Sequence, residues 1–108
     1  MRPDFIIWHT SASPYGTAGT IRRWHLERGW RDIGYHGVVL NGYLTYDDVQ
    51  KTRCVEWLNG AFEVGRLWDG DGFLEQDEVG AHAYGMNRQS MGMCLIGEHG
   101  RFTQEQIE

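Results

Sequence analysis

Short apolar runs separated by polar, glycine-rich turns set the rhythm of this chain. Phe5-Ile6-Ile7-Trp8 carries no charge and no break, as a strand buried on both faces requires. Thr10-Ser11-Ala12-Ser13-Pro14 follows as a polar turn. Thr17 is placed to cap a helix over Ala18–Arg28, in which Ile21, Trp24, His25 and Arg28 share one face and Gly29 marks the end. Trp30 to Gly34 is a connector. Tyr35–Leu40 reads as a second strand, turned by Asn41-Gly42. Thr45–Arg53 reads as a short helix capped by Thr45 or Asp47. Cys54–Leu58 and Ala61–Val64 flank Asn59-Gly60 in the manner of a second hairpin. Gly65–Glu78 reads as a solvated acidic loop. Within it Asp69 and Asp71 suggest a calcium loop, but Phe73 and Leu74 stand where such a loop needs an oxygen ligand and a glycine. Met91–Ile96, closed by Gly97, is a third uncharged strand. Thr103-Gln104-Glu105-Gln106 is a capping box with two residues behind it, which suggests a helix cut short by truncation.

These elements predict an α/β domain in which the three apolar runs are neighbouring strands of one sheet and helix 18–28 packs against it. The 108 residues make one domain, large enough for a real core without disulfide staples. A net charge of −5 argues against a nucleic-acid partner. No apolar stretch is long enough to span a bilayer and no signal peptide opens the chain, so the expectation is cytoplasmic synthesis with no membrane partner. Cys54 and Cys94 form no disulfide framework, and Cys94, inside an apolar strand, reads as an inert core thiol. Five Trp and five Tyr could line a groove for a ring-bearing ligand or simply pack the core.

Two places carry candidate chemistry. His9 ends the first strand and points into the space beyond the sheet, where metal ligands and general bases are often held. Alone it reads equally as a hydrogen-bonded core residue. The polar loop Gly80–Asn87 feeds directly into the third strand, which puts His82 and Asn87 at a sheet edge or crevice. A turn before a core strand is the plainer reading. His25 by itself is a partly buried helix residue beside Trp24.

Three pieces occur in one order along the chain: Ile6-Ile7-Trp8-His9-Thr10-Ser11-Ala12; Ile21-Arg22-Arg23-Trp24-His25 through Asp32-Ile33-Gly34-Tyr35-His36; and Gly80-Ala81-His82 through Asn87, Ser90 and Gly92. Together they resemble the zinc-dependent N-acetylmuramoyl-L-alanine amidases of the type-2 amidase and peptidoglycan recognition protein superfamily. The Cys94-Leu95-Ile96-Gly97 continuation resembles the bacteriophage endolysin branch. The resemblance runs from Phe5 to Gln106, with Tyr43–Cys54 as an insertion relative to compact members. It implies a mixed central sheet with helices packed on it and a groove across one face. It also implies hydrolysis of the amide between N-acetylmuramic acid and L-alanine in peptidoglycan, a muropeptide as the partner, action on the cell wall, and a monomer.

Carried over residue by residue, His9 matches the first zinc ligand and Tyr35 the tyrosine beside the metal. His25, His82 and Asn87 match positions that line or support the groove. The family's other two ligands, a His and a Cys, follow its last helix; Cys54, Cys94 and His99 do not match them. The resemblance therefore implies an amidase domain over residues 1–108 lacking its C-terminal part, with one of three zinc ligands and no activity of its own. The alternative it leaves is a non-catalytic muropeptide-binding module.

Overall fold

The computed structural model describes residues 5–67, 79–83, 87, 90–98 and 101–107. Four strands form one mixed sheet: β1 (Phe5–Thr10), β2 (Gly37–Val39), β3 (Phe62–Val64) and β4 (Ser90–Leu95), in the spatial order β1-β4-β2-β3. β4 runs parallel to both β1 and β2, and β3 closes the far side antiparallel to β2. The three apolar runs are thus adjacent strands.

Register sorts the side chains onto two faces. Ile7, His9, Ser90, Gly92, Cys94, Val38 and Glu63 share one face; Ile6, Trp8, Met91, Met93, Val39, Phe62 and Val64 share the other. Helix α1 (Ala18–Glu27) covers the first face, and the Ala18 N–H at its start donates to Glu63 Oε1 at 2.8 Å. Ile21 and Ala18 of α1 meet Val38 and Cys94 of the sheet, with Ile33, Leu40 and Ile96, in the core. On the second face Ile6, Trp8, Phe62 and Val64 are exposed, so β1 is not the strand buried on both faces that its uncharged run suggests: it stands at the outer end of the strand order.

α1 begins where Thr17 accepts the Thr20 N–H while the Thr17 N–H donates to Thr20 Oγ1, a reciprocal box that satisfies two otherwise unpaired donors. It ends at Glu27, one residue short of the expected Arg28, which becomes the cap. Gly29 takes a left-handed φ of +86°, its N–H reaches Leu26 O, and the Trp30 N–H reaches His25 O. That paired closure folds Trp30 back over the last turn. Further on, Thr45 caps the short α2 (Tyr46–Gln50). Gln106 in α3 (Gln104–Ile107) is buried and donates to Val39 O and Ile96 O, fastening α3 to the ends of β2 and β4.

Three further readings of the sequence need correction. The hairpin over 54–64 is absent: Glu56–Leu58 winds a 3₁₀ turn, and Ala61–Val64 pairs with the buried β2. Leu40 N–H to Ala61 O and Gly60 N–H to Leu40 O extend that ladder past β2. A fully buried strand offers more packing than the exposed 56–57 segment, so tertiary pairing overrides the local turn signal. The second strand is shorter than Tyr35–Leu40, spanning Gly37–Val39, although Tyr35 and His36 keep backbone bonds to Arg66, Gly65 and Gly92. Arg66, assigned to a solvated loop, is only 5% exposed. The remainder of that loop from residue 68, including its acids, lies outside the described residues, as does His99.

Candidate functional site

The site grows from β1 and from the end of α1. His9 stands on the helix-covered face of β1, level with Cys94 of β4. At the end of α1, His25 is buried against Trp30, ring centroids 4.4 Å apart. Its Nδ1 accepts the Gly34 N–H at 2.9 Å, which ties the connector to the helix and presents Tyr35 beside both His25 (5.6 Å between centroids) and His9 (5.4 Å).

The loop that carries His82 arrives by close backbone approach. The Ala81 N–H donates to Gly34 O, and a Cβ at Gly34 would run into the Ala81 carbonyl, so only glycine lets the two segments touch. Arg66 fastens the same place from below. Its guanidinium donates to Ile33 O and Val79 O, both at 2.8 Å. Asn87 Oδ1 then accepts both the His82 and the Ala83 N–H, at 2.9 and 2.8 Å. The His82 ring lies on Gly92 of β4. There it meets His9, with Nδ1 of His82 2.9 Å from Nε2 of His9, and its Nε2 is 3.3 Å from Ser90 Oγ. His36 stands edge-on to it at 6.0 Å and accepts the Gly92 N–H on its own Nδ1.

Burial governs the charge state of every group here. It pushes the His82 imidazole down to about 4, assisted by the fields of His9 and His36. Burial also lowers His9, and it lowers His25 with help from Arg28 and Arg66. It lifts the Tyr35 hydroxyl to about 12 and the Cys94 thiol to about 12. Near neutral pH His9, His25 and His82 are therefore held uncharged, beside a protonated phenol and an un-ionised thiol. Cys94, fully buried, has no nucleophilic character, as its place in a core strand implies.

A groove of about 340 Å³ opens beside these groups, walled by His25, Arg28, Trp30, Tyr35, His82 and Asn87. The Arg28 guanidinium lies over the Trp30 ring at 5.9 Å. A larger hollow of about 410 Å³ lies at the far ends of the parallel strands, between Pro14, Asn41, Tyr43 and Phe102, but it contains none of the histidines. The smaller groove is the candidate site, because the clustered titratable groups border it.

All five residues singled out in the sequence, His9, His25, Tyr35, His82 and Asn87, converge here. Among the described residues, no group of three or more His, Cys, Asp or Glu could hold a metal ion. Trp30, Arg28, His36 and Arg66 also shape the site and were not singled out. The Gly29-Trp30 closure after the helix was a signal for Trp30; nothing local marked Arg66.

A four-stranded mixed sheet with one helix-backed face and a histidine-tyrosine groove defines a class, and comparison with known proteins gives it a place. No family model matches the chain. It is 34% identical over 97 residues to the endolysin of Escherichia phage T7, across 87% of this chain and 48% of that protein. To the endolysin of Klebsiella phage KP32 it is 35% identical over 77 residues, across 71% of this chain and 34% of that protein. Among solved structures, the N-acetylmuramoyl-L-alanine amidase LysC from Clostridium intestinale matches with a TM-score of 0.66 at 24% identity, over 99% of this chain and 56% of that one. By sequence the chain is similar to phage endolysins, and its fold is that of the N-acetylmuramoyl-L-alanine amidases and peptidoglycan recognition proteins. It is a relative of the T7-like phage endolysins, and it spans about half or less of the length of the curated relatives it matches.

Proposed function

We propose that the chain carries the groove and first metal ligand of a zinc-dependent N-acetylmuramoyl-L-alanine amidase, which cleaves the amide joining N-acetylmuramic acid to L-alanine in peptidoglycan. The observation that carries this reading is the convergence of His9, Tyr35 and His82 beside one groove, in a relative of phage endolysins.

His9 fits a metal in two respects. Burial keeps its imidazole neutral, as a ligand must be, and its Nδ1 has no partner among the described residues. No side-chain nitrogen in the described interior lacks a partner, so Nδ1 is open rather than buried. A complete site needs about three protein ligands, and the others must come from outside the described residues. Zinc, when bound, supplies Lewis acidity toward the amide carbonyl and toward water. Tyr35 keeps its proton well above neutral pH and can donate it in a hydrogen bond to the oxygen that gains charge, worth about 2.7–4 kcal/mol. The Trp30 ring and the Arg28 side chain offer a flat apolar wall and a cation to the rest of the substrate.

The test is zinc stoichiometry together with release of stem peptides from peptidoglycan. The 108 residues alone are expected to bind zinc weakly and release nothing. A protein supplying the remaining His and Cys ligands is expected to gain both together. Tight stoichiometric zinc with full hydrolysis by residues 1–108 would overturn the assignment of ligands. Muropeptide binding without hydrolysis in the ligand-complete protein would instead favour a binding module.

A further inference from the structure

We infer that Arg28 is a specificity-determining residue of the groove: its guanidinium, held over the Trp30 ring, takes a carboxylate of the bound peptide. This role rests on the muropeptide reading proposed above, and it needs no metal.

Arg28 stands where the helix hands over to the connector. It caps α1, its N–H reaching Trp24 O and His25 O, and the left-handed Gly29 (φ +86°) then turns Trp30 back over the last turn. Trp30 lies against the buried His25, and the guanidinium sits 5.9 Å from the centre of the Trp30 ring, within cation–π range. A cation at a helix C-terminus also suits the helix dipole. That would hold for any orientation of the side chain, whereas here the guanidinium joins the groove wall.

Charge makes the position informative. Among the described residues no Asp or Glu lines the groove, and Arg28 is its one charged wall residue. The ion pairs of the described residues lie elsewhere: Arg22 holds Asp32, and Lys51 and Arg53 hold Asp47 and Asp48. Arg28 therefore keeps its side-chain N–H donors for a ligand. The neighbouring Arg66 turns its own donors to the carbonyls of Asp32, Ile33 and Val79, so it adds positive charge without competing for that ligand. In a chain of net charge −5, a groove of this sign is a local feature that selects an anion.

Shape and spacing say which anion. A planar guanidinium takes a carboxylate through two parallel N–H···O bonds. From Tyr35 to His25 to Trp30 the ring centres are 5.6 and 4.4 Å apart, and the Arg28 guanidinium is a further 5.9 Å step. An extended peptide advances about 3.3–3.6 Å per residue. A peptide whose first amide lies by Tyr35 thus meets Arg28 with a residue beyond its first. The group read there is a carboxylate on the stem, not the amide that is cleaved.

Peptides carrying a single negative charge test this. N-acetylmuramoyl-di-, tri- and tetra-alanine, each with a free or an amidated C-terminus, are titrated into the 108-residue chain and followed by the Trp30 indole resonance. At one or more lengths the acid should bind about 3–30-fold more tightly than the amide, the lower end belonging to a solvent-exposed pair. Added salt should narrow that ratio. Arg28→Gln should bring the acid down to the amide while amide binding stays within about twofold, and Arg28→Lys, which keeps the charge but not the fork, should retain part of the preference. Acids and amides that bind alike at every length overturn the inference. A preference that survives Arg28→Gln overturns it too, as does a chain that binds none of these peptides. A ligand-complete protein separates the two readings. Cleavage of acid and amide with equal kcat/KM refutes the carboxylate role and leaves the amidase; an Arg28-dependent preference for the acid without cleavage refutes the amidase and leaves the carboxylate role.

Discussion

Adding one methyl group at Gly92 tests how the site is built. A Cβ there would lie 2.5 Å from His82 Cγ, 2.6 Å from Cδ2 and 2.8 Å from Nδ1. Ordinary contacts of this kind begin near 3.4 Å, so either the ring or the strand must move by about 1 Å. The strand is held, because Gly92 gives its N–H to His36 Nδ1 and takes the His36 N–H on its carbonyl. The ring therefore moves. A shift of about 1 Å stretches the 2.9 Å bond to His9 beyond hydrogen-bonding distance. Overpacking costs about 1–3 kcal/mol and a lost hydrogen bond about 0.5–1.5, against a gain of about 0.5–1 for replacing glycine in a strand. The net is a loss of about 1–3 kcal/mol, which lowers Tm by roughly 5–15 °C in a domain of this size. Gly19→Ala is the contrast. Its added Cβ meets nothing closer than Thr17 Oγ1 at 3.6 Å, and α1 should gain about 0.5–1 kcal/mol. Thermal unfolding followed by circular dichroism, with ¹⁵N shifts of His9, measures both variants. An unchanged Tm and unchanged His9 signals in Gly92→Ala would refute the packing described for His82.

Because burial holds the folded His82 imidazole near 4 while the unfolded chain titrates near 6.5, the unfolded state binds more protons between those values. Stability should be full above about pH 6.5 and fall by about 1–3 kcal/mol as pH drops toward 4, after allowing for the solvent that reaches this half-buried ring. Denaturant titrations at stepped pH measure this, and an undiminished slope in His82→Asn would count against it. Arg66→Met should cost about 2–4 kcal/mol by stranding the Ile33 and Val79 carbonyls, read as a drop in denaturation midpoint; a neutral change would mean the guanidinium is not needed there. Gln106→Leu strands Ile96 O and leaves Val39 O with the Ile96 N–H alone, and should cost about 1–3 kcal/mol in the same measurement. In a ligand-complete protein Tyr35→Phe should lower kcat by about 100–1000-fold with little change in substrate binding; unchanged turnover removes Tyr35 from the mechanism.

Much of the fold was legible because its signals are local. The runs at Phe5–Trp8 and Met91–Ile96 lack charge and do lie side by side in β1 and β4, but an uncharged run does not tell an outer strand from a buried one, and Phe5, Ile6 and Trp8 are exposed. Thr17 and Gly29 bracket α1 by cap chemistry that any reader of the sequence can apply. The reading failed where two local signals competed with a distant partner. Asn59-Gly60 is a good turn, but β2 lies more than twenty residues back and takes Ala61–Val64 for itself. Arg66 failed for a similar reason. A cation beside an acidic, glycine-rich stretch looks solvated until the carbonyls of Asp32, Ile33 and Val79 are seen around it.

The candidate site divides along the same line. His9, Tyr35 and His82 could be marked by their places in three ordered motifs, but their relation could not. The 2.9 Å contact joins residues 73 positions apart, and it exists only because Gly34 and Gly92 each omit a Cβ where another segment must pass. A glycine in a sequence gives no hint of whether it serves a turn or an approach. The protonation of the site is further removed still from any motif. His9 and His36 stand 5.0 and 6.0 Å from His82, ring to ring, and their fields add to burial in keeping the His82 imidazole neutral. That neutrality is a property of the packed fold, which brings His9, His36 and His82 together, and none of the three motifs carries it alone.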